Sequence, residues 1–403
     1  MPVYLDYNST TPLEDSVIDA IKTALQDEWG NPSSKHTYGN VARSSIEKAR
    51  RSIAQMINGR DKDIIFTSGG TEANNVAIFS AVQSYNNWAR KQKNVNNKKP
   101  HVITTDVEHD AILLPLQHLK SKGEIDVTYV SAAPTGCINV MDVISKIKPT
   151  TCMITIMLAN NETGVIMPIG ELARSINEAN QERVKKDLFK ILFHTDAAQA
   201  IGKVPVDVNE IKVDYLTIVG HKFYGPRIGC IYARDVEGDT PLYPIIFGGG
   251  QERGFRPGTE NTAMIAGLGK AAELVTENLD EYMEHFFSMK EYLMHTLRDN
   301  FGSNVVFNCH DKDVKALPNT CNISFRGTSL TGGEILEKCE RIVASIGAAC
   351  HSQNKPSAIL MASGVPSELA RTAIRLSIGR GTSKEDIETA VADLKQAVNS
   401  HKN

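Results

Sequence analysis

The chain has 403 residues, of which 41% are hydrophobic and 23% charged, a composition typical of a folded globular protein with a sizeable core. Its 44 basic and 47 acidic side chains give a formal net charge of −3, which leaves no basic excess for binding nucleic acid. The most apolar run, residues 152–159, is too short to cross a bilayer, and the N-terminus has no secretory signal pattern. We therefore expect no export and no membrane or nucleic-acid partner.

The seven cysteines are scattered along the chain, odd in number and without a C-x-x-C pair. This spacing does not support a zinc site, and we predict no metal site of any kind. Free thiols suit a reducing compartment, so we expect a cytoplasmic protein with mostly buried, inert cysteines. Cys350 is the exception, because residues 345–356 are small and polar and are typical of a loop, where His351 and Lys355 could make its surroundings electropositive.

Short apolar runs alternate with helical patterns between about residues 60 and 235. The runs are mostly continuous rather than alternating, which indicates strands that are covered on both faces. Predicted strands cover residues 63–67, 101–104, 127–130, 152–156, 191–194, 215–218 and 228–232. Predicted helices between them cover residues 71–84, 111–121, 140–147 and 169–179. This order predicts an α/β fold with a mainly parallel seven-stranded sheet and helices on both sides.

The pattern changes after the glycine-rich residues 247–250. The predicted elements that follow are a helix over 262–298, strands at 305–307 and 322–325, a helix over 333–339, a strand at 374–377 and a helix over 384–398. We expect a smaller α+β domain here. The predicted division is a large domain of residues 15–260 and a small domain of residues 1–14 plus 261–403.

A glycine turn at residues 68–71 stands between a predicted strand and a predicted helix. Backbone N–H groups and the positive end of a helix can bind an anion there. An ordinary helix start with Thr71 as the N-cap explains the same residues equally well. Neither an NTP-binding P-loop nor a dinucleotide-binding glycine motif is present.

Two charged residues follow neighbouring hydrophobic strands. Asp196 ends one strand, at the edge where parallel sheets place ligands, although a capping aspartate is an alternative. Lys222 follows the next strand, where burial would lower its pKa and suit it to form an imine, although a surface lysine is an alternative. A lysine for an aldehyde, a carboxylate for a pyridine nitrogen and a glycine turn for a phosphate are together what pyridoxal phosphate requires.

Longer motifs resemble the cysteine desulfurase group of the class V aminotransferase-like, fold-type I pyridoxal phosphate enzymes. They are residues 6–12, 30–34, 160–164, 220–226 and 256–261. The resemblance runs essentially from end to end and implies a fold-type I transferase architecture. Within this group the chain is most similar to the selenocysteine lyases, in residues 156–161, 216–221, 247–253 and 317–322.

The resemblance implies how the cofactor ring is held. Lys222 is bonded to the cofactor aldehyde, Asp196 pairs with the pyridine nitrogen and Gln199 reaches the ring hydroxyl. His109 stacks on the ring and can take part in acid–base transfer.

The resemblance also implies how the phosphate is held. Gly70, Thr71 and His221 bind it within one subunit. Thr259 reaches the phosphate held by the neighbouring subunit, so a homodimer with shared active sites is expected.

The resemblance implies that Asn161 and Arg375 bind the substrate. The guanidinium of Arg375 would bind the substrate carboxylate through two hydrogen bonds. Cys350 receives the chalcogen from the substrate. Two positions depart from many desulfurases, since Val219 replaces a phosphate-binding serine and Asp110 replaces a lysine of the bacterial type. We hypothesise that the Asp110 carboxylate disfavours a thiolate near the substrate, whereas a selenol is more acidic and leaves more easily.

The predicted function is decomposition of L-selenocysteine to L-alanine and selenium through a chalcogen bound to Cys350, with a possible selenium acceptor protein. A cysteine desulfurase that releases sulfur from L-cysteine is the alternative of the same type. A non-catalytic interaction protein on this fold is the alternative from another class. Aminotransferase activity is a weaker option, because it leaves Cys350 without a role.

Overall fold

The computed structural model describes residues 1–92, 98–347 and 356–400. The predicted nucleophile Cys350, together with His351 and Lys355, lies outside the described residues.

The predicted strands and helices are all present and usually differ by a few residues at their ends, whereas the strands at 3–4 and 342–343 and the helices at 15–27, 37–56, 208–211, 358–362 and 367–371 were not predicted. The strands are β1 (Val3–Tyr4), β2 (Ile64–Thr67), β3 (His101–Thr105), β4 (Asp126–Val130), β5 (Thr151–Thr155), β6 (Leu192–Asp196), β7 (Tyr215–Val219), β8 (Gly229–Ala233), β9 (Val305–Phe307), β10 (Thr320–Phe325), β11 (Ile342–Val343) and β12 (Ile374–Ser377). The helices are α1 (Asp15–Asp27), α2 (Thr37–Met56), α3 (Gly70–Ala89), α4 (Asp110–Ser121), α5 (Val140–Ser145), α6 (Ile169–Lys185), α7 (Val208–Ile211), α8 (Thr262–Phe301), α9 (Gly332–Glu337), α10 (Ala358–Ala362), α11 (Ser367–Arg371) and α12 (Lys384–Asn399).

A seven-stranded sheet with the order β2-β8-β7-β6-β5-β3-β4 forms the centre of the fold. The strands from β7 to β4 in this order pair in parallel, whereas β8 is antiparallel to both β7 and β2. The prediction of a mainly parallel seven-stranded sheet is confirmed. Because the carboxyl ends of β5, β6 and β7 lie at one edge, the residues that follow them meet there.

The continuous apolar strands pack on both faces of this sheet. In β2, Ile64 and Phe66 join one buried cluster whereas Ile65 joins the other. In β6, Phe193 and Leu192 divide between the two clusters in the same way. Since successive side chains of a strand point to opposite faces, a strand covered on both faces needs apolar residues at every position.

Apart from the two clusters on the large sheet, a separate buried core, here called the second core, surrounds the three-stranded antiparallel sheet β12-β10-β9. Helix α8 connects the large sheet's clusters with the second core, because Leu268 and Val275 in its first half belong to a cluster of the large sheet, whereas Phe286 and Leu293 belong to the second core. Leu5, near the N-terminus, also lies in the second core. The division into two domains at residue 260 stays a prediction. Within the described ranges no helix is long and apolar enough to cross a membrane.

Candidate active site

A cavity of about 250 Å³ lies at the carboxyl ends of β5, β6 and β7. The predicted site residues that line it are Gly70, Thr71, His109, Asn161, Asp196, Gln199, His221, Lys222 and Arg375. Other residues that line it are Asn8, Ser9, Asn74, Ala111, Met157, Ala159, Ala198 and Val219. Residues from seven separate stretches of the chain thus come together in this cavity.

Lys222 closes a short 3-10 turn that directly follows β7. Its Nζ donates hydrogen bonds to the backbone oxygens of Asn8, at 2.7 Å, and Ser9, at 2.8 Å. Burial, followed by the nearby positive charge of Arg375, lowers the pKa of the Lys222 amine to about 8. A substantial fraction of this amine therefore carries a free lone pair at mildly alkaline pH, which a nucleophile for an aldehyde needs.

Asp196 is the last residue of β6 and is 8% exposed. Its Oδ2 accepts a hydrogen bond from Asn74 Nδ2 at 2.7 Å, and its Oδ1 accepts one from the backbone N–H of Ala198 at 3.0 Å. These two donors hold the buried carboxylate in one orientation. The carboxylate is thus suited to hold a proton on a cationic nitrogen.

Helix α3 presents its N-terminus to the cavity. The N-cap is Gly69, without a side-chain cap, so the alternative interpretation of Thr71 as the N-cap is wrong. A Cβ on Gly70 would lie 2.4 Å from Cγ2 of Val219, so only glycine fits at this position without rearrangement. The first N–H groups of this 20-residue helix and its positive end are suited to an anion such as a phosphate.

Two histidines border the cavity in different ways. His109 is the exposed N-cap of α4, and its Nδ1 accepts a hydrogen bond from the backbone N–H of Ala111 at 3.0 Å. His221 Nδ1 lies 3.1 Å from Thr10 Oγ1. Burial, and then the charges of Lys222 and other nearby cations, lower the pKa of His221 to about 4, so its ring is neutral at pH 7.

Arg375, in β12, is 2% exposed. Its Nη2 donates to Asp6 Oδ1 and Ser9 Oγ, both at 2.7 Å, and its Nη1 donates to the backbone oxygen of Asn161 at 2.8 Å. In the part of the chain that the structure describes, Arg375 Nε and Asn161 Oδ1 are buried without a hydrogen-bond partner. Because buried polar atoms are normally paired, these two atoms are open to a polar partner in the cavity.

Two predicted site residues do not line the main cavity, and a third is outside the described residues. Thr259 lines a separate cavity of about 190 Å³, together with Ser68 and Arg256. Asp110 is the first residue of α4 and is not among the described residues that line the main cavity. Cys350 falls in the segment that the structure does not describe.

Sequence reasoning did not assign roles to Asn8, Ser9 or Asn74. Asn8 and Ser9 lie within the motif of residues 6–12, so the motif itself was the available signal. Glu108 was also missed. It is buried beside His109, accepts hydrogen bonds from Thr105 and from the backbone of Met157, and burial raises its pKa to about 8.

Comparisons with known proteins agree with this site. The family model "Aminotransferase class-V" matches residues 3–389. Selenocysteine lyase of Rattus norvegicus is 51% identical over 407 residues, which cover 98% of this chain and 94% of that protein. Cysteine desulfurase IscS of Dictyoglomus turgidum is 39% identical, over 98% of this chain and 94% of that protein. The solved structure of a NifS-like protein superposes with a TM-score of 0.86 at 30% identity and covers 98% of this chain and 99% of that one.

Pyridoxal phosphate fits the cavity by the chemistry of the groups that surround it. Lys222 supplies an amine for its aldehyde, Asp196 a carboxylate for its pyridine nitrogen, and the start of α3 an anion site for its phosphate. The unpaired atoms of Asn161 and Arg375 leave donors and acceptors for an amino-acid substrate. The family model matches nearly the whole chain, and the cavity has the groups that this cofactor needs. The chain therefore belongs to the class V aminotransferase family of pyridoxal phosphate-dependent enzymes.

Proposed function

We propose that this enzyme is a selenocysteine lyase, which converts L-selenocysteine to L-alanine and releases the selenium. The observation that carries the proposal is the position of the Lys222 amine, which shares one cavity with Asp196 and Arg375. The identity of 51% to a rat selenocysteine lyase supports selenocysteine as the substrate.

Lys222 has two tasks in this proposal. Pyridoxal phosphate, when bound, supplies an aldehyde for the Lys222 amine and a ring that accepts electrons from the substrate carbon. After the substrate amine displaces it, Lys222 takes the proton from the α-carbon as a general base. The backbone oxygens of Asn8 and Ser9 accept hydrogen bonds from its Nζ and orient the released amine.

The residues around Lys222 hold the ring and the phosphate. Asp196, oriented by Asn74, keeps a proton on the ring nitrogen. Gln199 would reach the ring hydroxyl with its amide, and His109 would stack on the ring and transfer protons.

The phosphate site is made by the first turn of α3. Gly70 and Thr71 offer backbone N–H groups, and neutral His221 offers a ring nitrogen. We propose that Thr259 completes the site of the neighbouring subunit, which makes the active enzyme a homodimer. Thr259 lines a different cavity from Lys222 of the same chain, which supports a role in the site of the other subunit.

Arg375 binds the substrate carboxylate, and Asn161 supports the amino acid through its side chain. Arg375 is already paired with Asp6. The guanidinium is therefore held in place before the substrate arrives, and its buried Nε remains available as a donor.

Cys350 is the proposed chalcogen acceptor. Its thiolate attacks the selenium of the bound substrate, the S–Se bond forms and the Cβ–Se bond breaks. The electron pair of the broken bond stays on carbon, which takes a proton and leaves as alanine. A selenium acceptor protein and a cytosolic location complete the proposal, and the described cysteines, none of them in a disulfide, suit a reducing compartment.

The test is alanine release from selenocysteine and from cysteine at equal concentration. A higher rate with selenocysteine is expected. An equal or higher rate with cysteine would favour a cysteine desulfurase, the alternative supported by the 39% identity to IscS of Dictyoglomus turgidum.

A second experiment separates an enzyme from a non-catalytic interaction protein on this fold. Lys222→Ala is expected to lose both the visible absorption of the bound cofactor and alanine release. Lys146→Ala, which changes an exposed lysine outside the cavity, is the matched control and is expected to keep both. Retention of both properties in Lys222→Ala would exclude the proposed chemistry.

A further inference from the structure

Lys203 lies directly behind the cavity and has no role in the chemistry proposed above. It is 3% exposed, and its Nζ donates hydrogen bonds to Asn8 Oδ1 at 2.9 Å and to Gln199 Oε1 at 2.8 Å. Both partners are neutral amides. Burial, and then the positive charges of Lys222 and Arg375, lower the pKa of Lys203 well below its ordinary value. A lysine in such surroundings costs stability, as is often observed at functional sites.

The contact with Gln199 sets the orientation of an amide at the cavity wall. Lys203 Nζ has N–H groups to donate in either protonation state, and it donates one to Oε1 of Gln199, so the oxygen of this amide faces Lys203. The nitrogen Nε2 is then turned to the other side, where it donates to the backbone oxygen of Asn8 at 2.9 Å. Its remaining N–H is available to an acceptor in the cavity that Gln199 lines.

The contact with Asn8 holds the backbone that receives Lys222. Asn8 Oδ1 accepts from Lys203 and also from Asn319 Nδ2 at 3.1 Å, while Asn8 Nδ2 donates to Thr320 Oγ1 at 2.8 Å. With its side chain fixed in this way, Asn8 places its backbone oxygen 2.7 Å from Lys222 Nζ.

We propose that Lys203 is a positioning residue for the cofactor, which aims the amide N–H of Gln199 at the ring hydroxyl and the backbone oxygen of Asn8 at the amine of Lys222. Its single Nζ contacts both the side chain of Gln199 and the side chain of Asn8. The inference rests on the proposed function, because it concerns the same cavity.

Lys290 is a matched control for a purely structural role. It is also a buried lysine, 7% exposed, whose pKa is lowered mainly by burial. Its Nζ donates to the backbone oxygen of Leu317 at 3.0 Å, on helix α8 and away from the cavity. Lys203→Met and Lys290→Met therefore remove the same group from similar environments.

The experiment measures the dissociation constant of pyridoxal phosphate and the pH titration of the visible band in the loaded enzyme. Lys203→Met is expected to weaken cofactor binding about tenfold, which corresponds to about 1.4 kcal/mol, and to shift the titration of the band. Lys290→Met is expected to leave both unchanged. If Lys203→Met matches Lys290→Met in both measurements, the inference is wrong.

The route through Gln199 is tested by a double-mutant cycle with Gln199→Ala. In that background Lys203→Met is expected to weaken binding by less than about threefold, because the amide that it aims is gone. A full tenfold loss there would show that Lys203 does not act through Gln199. If Lys203→Met does not accumulate in folded form, Lys203→Gln carries the same test with the same two outcomes.

The outcomes distinguish this inference from the proposed function. A wild-type protein without a visible band or alanine release would overturn both. A wild-type protein with both properties, and a Lys203→Met variant that binds the cofactor normally, would overturn the role of Lys203 alone.

Discussion

The contact between Gly70 and Val219 leads to a quantitative prediction about the start of α3. A Cβ on residue 70 would lie 2.4 Å from Cγ2 of Val219, which is itself 7% exposed and cannot move into solvent. Overpacking of this kind costs about 1–3 kcal/mol. Replacement of glycine by alanine at a compatible backbone position returns about 0.5 kcal/mol through the unfolded chain. We expect Gly70→Ala to lower the free energy of unfolding by about 1.5 kcal/mol.

The partner variant Val219→Ala removes Cγ2, the methyl group with which a Cβ on residue 70 would clash. Alone it is expected to cost about 1.5 kcal/mol, for the two methyl groups that it loses from a buried site. In the double variant the new methyl group occupies part of the vacated space. Its total cost is expected to be about 1 kcal/mol rather than the sum of 3, a coupling energy of about 2 kcal/mol.

Urea unfolding of the cofactor-free protein measures all four members of this cycle. Gly69→Ala is the matched control, because a Cβ on Gly69 meets no atom within 4 Å. It is expected to lower the free energy of unfolding by about 0.5 kcal/mol, the cost of alanine in place of glycine at a helix N-cap, and to show no coupling with Val219→Ala. A coupling energy below about 0.5 kcal/mol between positions 70 and 219 would refute the steric argument.

Three further predictions concern the chemistry of the cavity. Because the pKa of Lys222 is lowered to about 8, the rate at which the cofactor-free enzyme binds pyridoxal phosphate should increase as the pH rises through about 8. Stopped-flow absorbance measures this rate, and a midpoint of its pH dependence near the ordinary lysine pKa of about 10.4 would contradict the prediction. Asn74→Ala removes the 2.7 Å hydrogen bond to Asp196 and should weaken cofactor binding about tenfold in equilibrium dialysis, whereas the control Asn75→Ala on the same helix should not. Asp110→Lys should raise sulfide release from cysteine relative to selenide release, and an unchanged selenium preference would remove the proposed role of that carboxylate.

Much of the large sheet could be predicted from the order of apolar runs. The orientation of β8 was not predicted, although only nine residues, 220–228, separate it from β7. A parallel connection needs a dozen residues or more, so this short link allows only an antiparallel partner. The antiparallel orientation of β8 could therefore have been predicted from the number of residues between the two strands.

The candidate site was predicted where a motif follows a strand, as for Asp196 and Lys222. The contribution of the N-terminal residues to the site was not predicted. The hydrogen bond from Lys222 Nζ to the backbone oxygen of Asn8 joins residues 214 positions apart, so no local pattern indicates it. Nor does any local pattern indicate that Asp6 pairs with Arg375, 369 positions away. Such contacts depend on tertiary packing, because Leu5 is buried in the second core and this fixes the position of the neighbouring residues Asp6 and Asn8.

The sequence by itself determined the kind and order of the seven strands of the large sheet, since periodicity and strand-end residues are local properties of the chain, but α1 and α2 were not predicted. It also determined which side chains reach the carboxyl edge of the sheet. Only the tertiary structure decided which backbone oxygens receive the Lys222 amine, which carboxylate holds Arg375 and which buried lysine supports Gln199. Hydrogen bonds between distant segments require a distance and an angle, and packing of the two cores sets both.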